Sequence, residues 1–230
     1  MKELLFAFLE KHPSSKEFFI KLCSVGDVFL IGGVLREYKD HADFISLRDI
    51  DIAIQVDDDL AYNNLVKEFS LYKNRLGGHK LFFEDLLIDV WRIEDTWAYK
   101  QGVIECSPSE YASRLTDTVF LNIDGIVYDW NRGIWYDKTY EMAMSNGVID
   151  VVLPENPLIP LNILRAFILK KRYNMSLSNS LEKIVIAEYL KFETLSDFIY
   201  ALLAEQNKRY EKRILQKDEI EKEVLTIINR

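Results

Sequence analysis

Asp49-Ile50-Asp51-Ile52-Ala53-Ile54 alternates acidic and apolar residues at the period of a β-strand. Residues two apart in a strand point the same way, so Asp49 and Asp51 emerge on one face while Ile50, Ile52 and Ile54 bury on the other. Two carboxylates that close repel each other unless a cation intervenes. Magnesium, hard and oxygen-seeking, is the natural one, with manganese as its substitute. A pair of such ions about 3.5–4 Å apart can hold the attacking oxygen and the leaving phosphate of an in-line displacement. The pair needs a further carboxylate. Asp89 supplies it, an acid inside the apolar run Leu86-Leu87-Ile88-Asp89-Val90-Trp91. Taken singly these features are ordinary, because acids alternate on many solvent-facing strands and a lone strand acid can discourage aggregation. A third feature changes that. Ile31-Gly32-Gly33-Val34-Leu35-Arg36 ends a strand and opens a helix. Glycine lets a ligand approach the backbone, and the N–H groups of a helix start favour phosphate. Arg36 could then reach the tail of a triphosphate, or simply cap a surface. The segment is neither the three-glycine dinucleotide fingerprint nor a Gly-Lys-Ser/Thr phosphate loop.

These residues need strands and helices to hold them, and the hydrophobic pattern supplies a set. Two short helices are expected over Lys2–Lys11 and Ser14–Cys23, parted by Pro13. Asp27–Ile31 suits a buried strand, Val34–Lys39 a helix, and Asp49–Val56 the acidic strand. Leu60, Leu65, Val66 and Phe69 have helical spacing within Asp58–Leu71. After Gly77-Gly78 come strand-like runs over Lys80–Phe83 and Leu86–Ile93. Ser107-Pro108-Ser109-Glu110 has the form of a capping box. Asp117–Ile123 and Ile126–Asp129 look like strands around the turn Asp124-Gly125. After Val152 the prolines 154, 157 and 160 mark a hinge, and helical periodicity takes over. The fold class is therefore α/β, of the α+β kind: a mixed-sheet domain over residues 1–153 and an all-helical domain over 154–230. Glu205–Arg230 reads as one charged amphipathic helix, packing one face on its neighbours; the C-terminal helices together offer a surface for a protein partner or a second copy.

Composition narrows the chemistry. The 230 residues are 49% hydrophobic and 13% aromatic, enough for a sizeable core. The net charge is -8, the wrong sign for gripping extended nucleic acid, though not for a small nucleotide whose phosphates are offset by metal. Met1–Lys11 has charges interrupting its apolar residues, unlike a signal peptide, and no apolar run is long enough to span a bilayer. Cys23 and Cys106 are far apart and the histidines 12, 41 and 79 are scattered, which argues against zinc. A cytoplasmic protein without a membrane partner is expected. Two ambiguous features are His79, in a turn where it could meet a phosphate, and the basic run Lys170-Lys171-Arg172, which more simply ends a helix.

The order of these elements resembles the polymerase-β nucleotidyltransferase superfamily. The likeness is to the head domain of bacterial-type poly(A) polymerases and CCA-adding enzymes. Gly32-Gly33-x-x-Arg36, Arg48-Asp49-Ile50-Asp51 and Ile88-Asp89-Val90-Trp91-Arg92 match that family's motifs in order and approximate spacing. Asp124–Asp129 is similar to its later strand pair, and Ile163-Leu164-Arg165-Ala166 to the start of its helical neck. The resemblance implies a magnesium-dependent transfer of a nucleoside monophosphate from a triphosphate, ATP foremost, to a hydroxyl. Asp49 and Asp51 would bind both metals, and Asp89 the catalytic one. Gly32, Gly33 and Arg36 would hold the triphosphate, while Arg92 would support Asp89 or meet a phosphate. Thr116-Asp117-Thr118 lacks the arginine of the family's corresponding segment, Asn162 replaces the first arginine of the neck signature, and no Glu-Asp-x-x-Arg element occurs. With the negative charge and the short stretch after the neck, this argues against a CCA-adding or processive poly(A) polymerase activity. A small molecule, a protein hydroxyl or a short RNA end remain as acceptors. The alternative is a catalytically silent module of the same fold that binds a nucleotide or a protein partner.

Overall fold

The computed structural model describes residues 1–45, 47–73, 77–83, 86–210 and 212–230. They form two compact units, one of residues 1–118 and 124–138, the other of 119–123 and 139–230. The change of character after Val152 marks the start of a helical run; the units divide earlier in the chain.

The first unit is built on a seven-stranded sheet in the order β3-β4-β5-β2-β1-β6-β7. Its strands are β1 (Gly26–Ile31), β2 (Asp49–Val56), β3 (Tyr72–Lys73), β4 (His79–Phe83), β5 (Leu86–Arg92), β6 (Val127–Asp129) and β7 (Ile134–Tyr136). β2 and β5 run parallel, and the other pairs are antiparallel. Helices α1 (Lys2–Leu9), α2 (Pro13–Leu22), α3 (Gly33–His41) and α4 (Asp59–Glu68) accompany it. The alternation in β2 does what its pattern requires: Ile50, Ile52 and Ile54 are fully buried, and Asp49 and Asp51 are half-buried. α4 starts where Asp58 accepts hydrogen bonds from the backbone N–H groups of Leu60 and Ala61, an N-cap that satisfies two otherwise orphan donors.

The carboxylate-bearing face is only partly covered. Phe29, Ala53, Ile93, Leu115 and Val127 cluster there with Ile31, Tyr99, Tyr111 and Tyr136. The short helices α5 (Trp97–Lys100) and α6 (Tyr111–Arg114) belong to the segment that brings several of these residues in. The capping box forms, with the Glu110 carboxylate accepting from the Ser107 backbone N–H, but it opens only a single 3-10 turn before α6. One strand expectation is corrected. Residues 117–123 form turns and one isolated bridge, Leu121 to Val151, in place of a strand; Thr118 Oγ1 donates to the Leu115 carbonyl, and such local bonds compete with a ladder. β6 accordingly pairs with β1 and β7.

The central pairing tolerates no side chain at Gly26. A Cβ there would lie 2.2 Å from the Gln55 carbonyl oxygen and 3.0 Å from Val56 Cα, both backbone. Gly26→Ala is expected to cost about 2–3 kcal/mol, because β1 must lift off β2. A lower urea midpoint at unchanged m would show it.

The second unit contains α7 (Lys138–Asn146), whose residues from 139 onward belong to it, then β8 (Val148–Ile149), α8 (Ile159–Tyr173), β9 (Ser176–Leu177), α9 (Asn179–Tyr189), α10 (Leu195–Arg209) and α11 (Lys217–Ile228). Ile163, Leu164, Phe167, Val185, Phe198 and Val224 are among its core residues. The single helix expected over Glu205–Arg230 is in fact two, parted after Arg209; Glu211 lies outside the described residues. No helix among the described residues is long and apolar enough to cross a membrane.

Candidate active site

One line of residues crosses the whole sheet. Tyr72 on β3 pairs with Lys80 on β4, Lys80 with Asp89 on β5, and Asp89 with Asp51 on β2. The line continues through Ile31 on β1 and Val127 on β6 to Tyr136 on β7. Directly paired residues share a face, so Asp51 and Asp89 stand side by side on the face that also bears Asp49. Beside them, Gly32 turns the chain from β1 into α3 at φ 69°, ψ -126°. A Cβ built on Gly32 would lie 3.5 Å from Asp51 Oδ2, so the glycine turn closes against that carboxylate. The contact is ordinary but the backbone is not, since this conformation belongs to glycine. Gly32→Ala is expected to destabilise the chain by about 1–3 kcal/mol through backbone strain, read from thermal unfolding.

No protein-family model and no curated protein sequence matches the chain. Solved structures do match it. A CCA-adding enzyme with ATP aligns over 88% of this chain and 47% of its own, at 19% identity and a TM-score of 0.59. A tRNA nucleotidyltransferase with a primer tRNA and an incoming ATP analogue aligns over 87% and 58%, at 20% identity and 0.56. The Thermotoga maritima CCA-adding enzyme complexed with tRNA gives 88% and 48%, at 19% identity and 0.56. The chain shares its fold with these structures. The chain spans about half the length of the structures it matches.

On this fold the motif residues take up different positions. Asp51 and Asp89 meet across the β2–β5 pair, with Gly32 and Gly33 next to them. Asp49, at the start of β2, is engaged by its neighbour Arg48, whose Nη2 donates to Asp49 Oδ2 at 2.6 Å. Arg36 is held by Asp124, both side chains being largely buried. That pair ties α3, and with it the glycine turn, to Asp124 ahead of β6. Arg92 is not brought to the group. It lies three positions from Asp89, on the opposite face, where it donates to Asp59 on α4 at 2.7 Å and to Glu94 at 2.8 Å and lies over the Tyr62 ring. Its expected support of Asp89 is therefore corrected: the side chain ties β5 to α4. His79 also lies on the far face, hydrogen-bonded through Nδ1 to the Tyr62 hydroxyl. Burial first, and Lys73 second, hold its pKa below the usual value. Lys80, which the sequence marks only as the start of a strand-like run, is ion-paired to Asp89. Its signal lies in the β4–β5 register, not in any motif.

Asp51 and Asp89 bring hard oxygen donors to one face of the sheet. Asp89 is buried; Lys80 holds its Oδ2, while its Oδ1 meets no hydrogen-bond donor of the protein. The contrast is Asp129, which is fully buried with both oxygens partnered by Arg132, through the backbone N–H at 2.8 Å and Nη1 at 2.9 Å. A buried carboxylate oxygen without a donor is costly unless something else compensates it. Among the described residues, however, no three His, Cys, Asp or Glu side chains converge closely enough to hold an ion together. Asp49 joins the other two only by leaving Arg48. That cost is small, because an exposed pair between chain neighbours contributes little.

Proposed function

We propose that this chain is a metal-dependent nucleotidyltransferase that moves a nucleoside monophosphate from a nucleoside triphosphate to a hydroxyl group. The observation that carries the reading is Asp51 and Asp89 in register beside the Gly32 turn, with one buried Asp89 oxygen left unpartnered. Magnesium or manganese, held by Asp51 and Asp89 with Asp49, supplies positive charge for the phosphates and for the attacking oxygen. The N–H groups at the start of α3, beyond Gly32 and Gly33, face the triphosphate tail. Arg36 braces that turn through Asp124. Asp89 accepts the proton as the hydroxyl oxygen bonds to the α-phosphorus and the bond to the β-phosphate oxygen breaks, releasing pyrophosphate. ATP is the first donor to test, and CTP the second, because solved neighbours carry one or the other.

The acceptor is a small molecule or a protein hydroxyl. The charge of -8 opposes long RNA. The basic run in α8 is occupied as well, with Lys170 paired to Glu223 and Lys171 to Glu219 at 2.5 Å. Those pairs take two of its three charges away from any phosphate.

A second reading is favoured by the spread of the three carboxylates: a module that binds a nucleotide without turning it over. One experiment separates the two. The full chain is incubated with α-labelled ATP or CTP, Mg²⁺ and panels of amino-alcohol, peptide and short RNA acceptors, and calorimetry with the same nucleotides runs in parallel. Label transfer with pyrophosphate release supports the enzyme, and binding without transfer supports the silent module. Neither binding nor transfer sinks both.

A further inference from the structure

Lys80 lies outside every motif, yet it occupies the place next to Asp89 on the side away from Asp51. Its ammonium group pairs with Asp89 Oδ2, and the Asp89 side chain is only 8% exposed. The other oxygen, Oδ1, is buried without a protein donor. One oxygen is thus clamped from the β4 side and the other left over. The geometry points to Lys80 as a positioning residue: it fixes the rotation of the Asp89 carboxylate so that Oδ1 alone serves as the metal donor and proton acceptor. This rests on the metal-site reading of Asp51 and Asp89 given above.

A carboxylate on a strand otherwise turns about its terminal bond with little resistance, because sp³–sp² torsions have broad minima. A ligating carboxylate needs an outer partner to hold it, and the loss of such a partner typically weakens metal binding about 10–100-fold. A lysine suits the position because the pair forms across directly opposed residues of neighbouring strands, where both backbones are fixed by the ladder. Its charge also offsets part of the negative charge that three aspartates and a triphosphate bring to one face. Lys80 borders an open cavity of 510 Å³ at the sheet edge, lined also by Tyr72 and Phe82. Its removal therefore leaves solvent space instead of a void in the core.

The competing description is a plain counterion, which a metal would have to displace. The two predict opposite signs. In the full chain, Mn²⁺ binding is titrated by the electron paramagnetic resonance signal of the free aqua ion, for wild type, Lys80→Met and Lys80→Arg, with circular dichroism as the fold control. A positioning role predicts that Lys80→Met weakens Mn²⁺ binding about tenfold and that Lys80→Arg restores most of it. In transfer assays it also predicts a fall in kcat with nucleotide KM nearly unchanged. Unchanged or tighter Mn²⁺ binding by Lys80→Met, with wild type binding normally, overturns the positioning role alone. No stoichiometric Mn²⁺ in any variant overturns the metal site, and the inference with it.

Discussion

Asp51→Asn is expected to leave the chain folded while reducing metal-dependent nucleotide transfer by about a thousandfold or more. Asp51 occupies the centre of the line, with Asp89 on one side and the Gly32 turn on the other. The amide keeps the shape of the carboxylate. It removes a negative charge and turns one hard oxygen into an N–H₂ group that no cation accepts. Stability should hold or rise slightly, because two neighbouring acids no longer repel. The measurement is α-labelled nucleotide transfer in parallel with Mn²⁺ titration, at matched circular dichroism. Asp129→Asn is the control: its carboxylate is fully committed to Arg132, so that change should lower stability and spare transfer. Transfer by Asp51→Asn at the wild-type rate would remove the site from the chemistry.

The strand that bears Asp49 and Asp51 was legible because period-2 alternation is a local property, complete within eight residues. The neighbours of those residues were not. That Asp51 faces Asp89, and Asp89 faces Lys80, follows from one parallel and one antiparallel register. Register between distant segments is set by packing and by turns that leave no fixed spacing in the chain. Arg92 shows the opposite error. The same alternation puts a residue three positions from Asp89 on the other face, so strand period and family motif disagree over Arg92. Residues 117–123 carry β-branched and aromatic residues that suit a strand. The Thr118 hydroxyl and the Asn122 side chain, which bonds the backbone of Val148 and Asp150, favour turns there, with one bridge from Leu121 to Val151. The Gly-Gly turn is the part of the site where residue type and backbone agree, since Gly32 adopts a conformation that other residues resist.

The break between α10 and α11 has no proline or glycine to announce it; Gln206 takes their place. Its side chain is fully buried, its Oε1 accepts the backbone N–H groups of Ile214 at 3.1 Å and Leu215 at 2.9 Å, and its Nε2 donates to the Leu215 carbonyl at 2.9 Å. One amide thus satisfies three backbone groups where the chain turns, and lets Leu215 enter the core beside Ile220 and Val224. Gln206→Leu preserves volume but strands these groups away from water. At about 1–3 kcal/mol for each unsatisfied group, partly relieved by movement of the loop, the loss should be about 3–5 kcal/mol. For a unit of this size that lowers Tm by roughly 10 °C or more. Hydrogen exchange at the Ile214 and Leu215 amides should accelerate first, ahead of the sheet strands. Gln206→Glu keeps the acceptor but loses the donor, and should fall between the two. A change below about 1 kcal/mol in Gln206→Leu would mean that the turn finds its hydrogen bonds elsewhere.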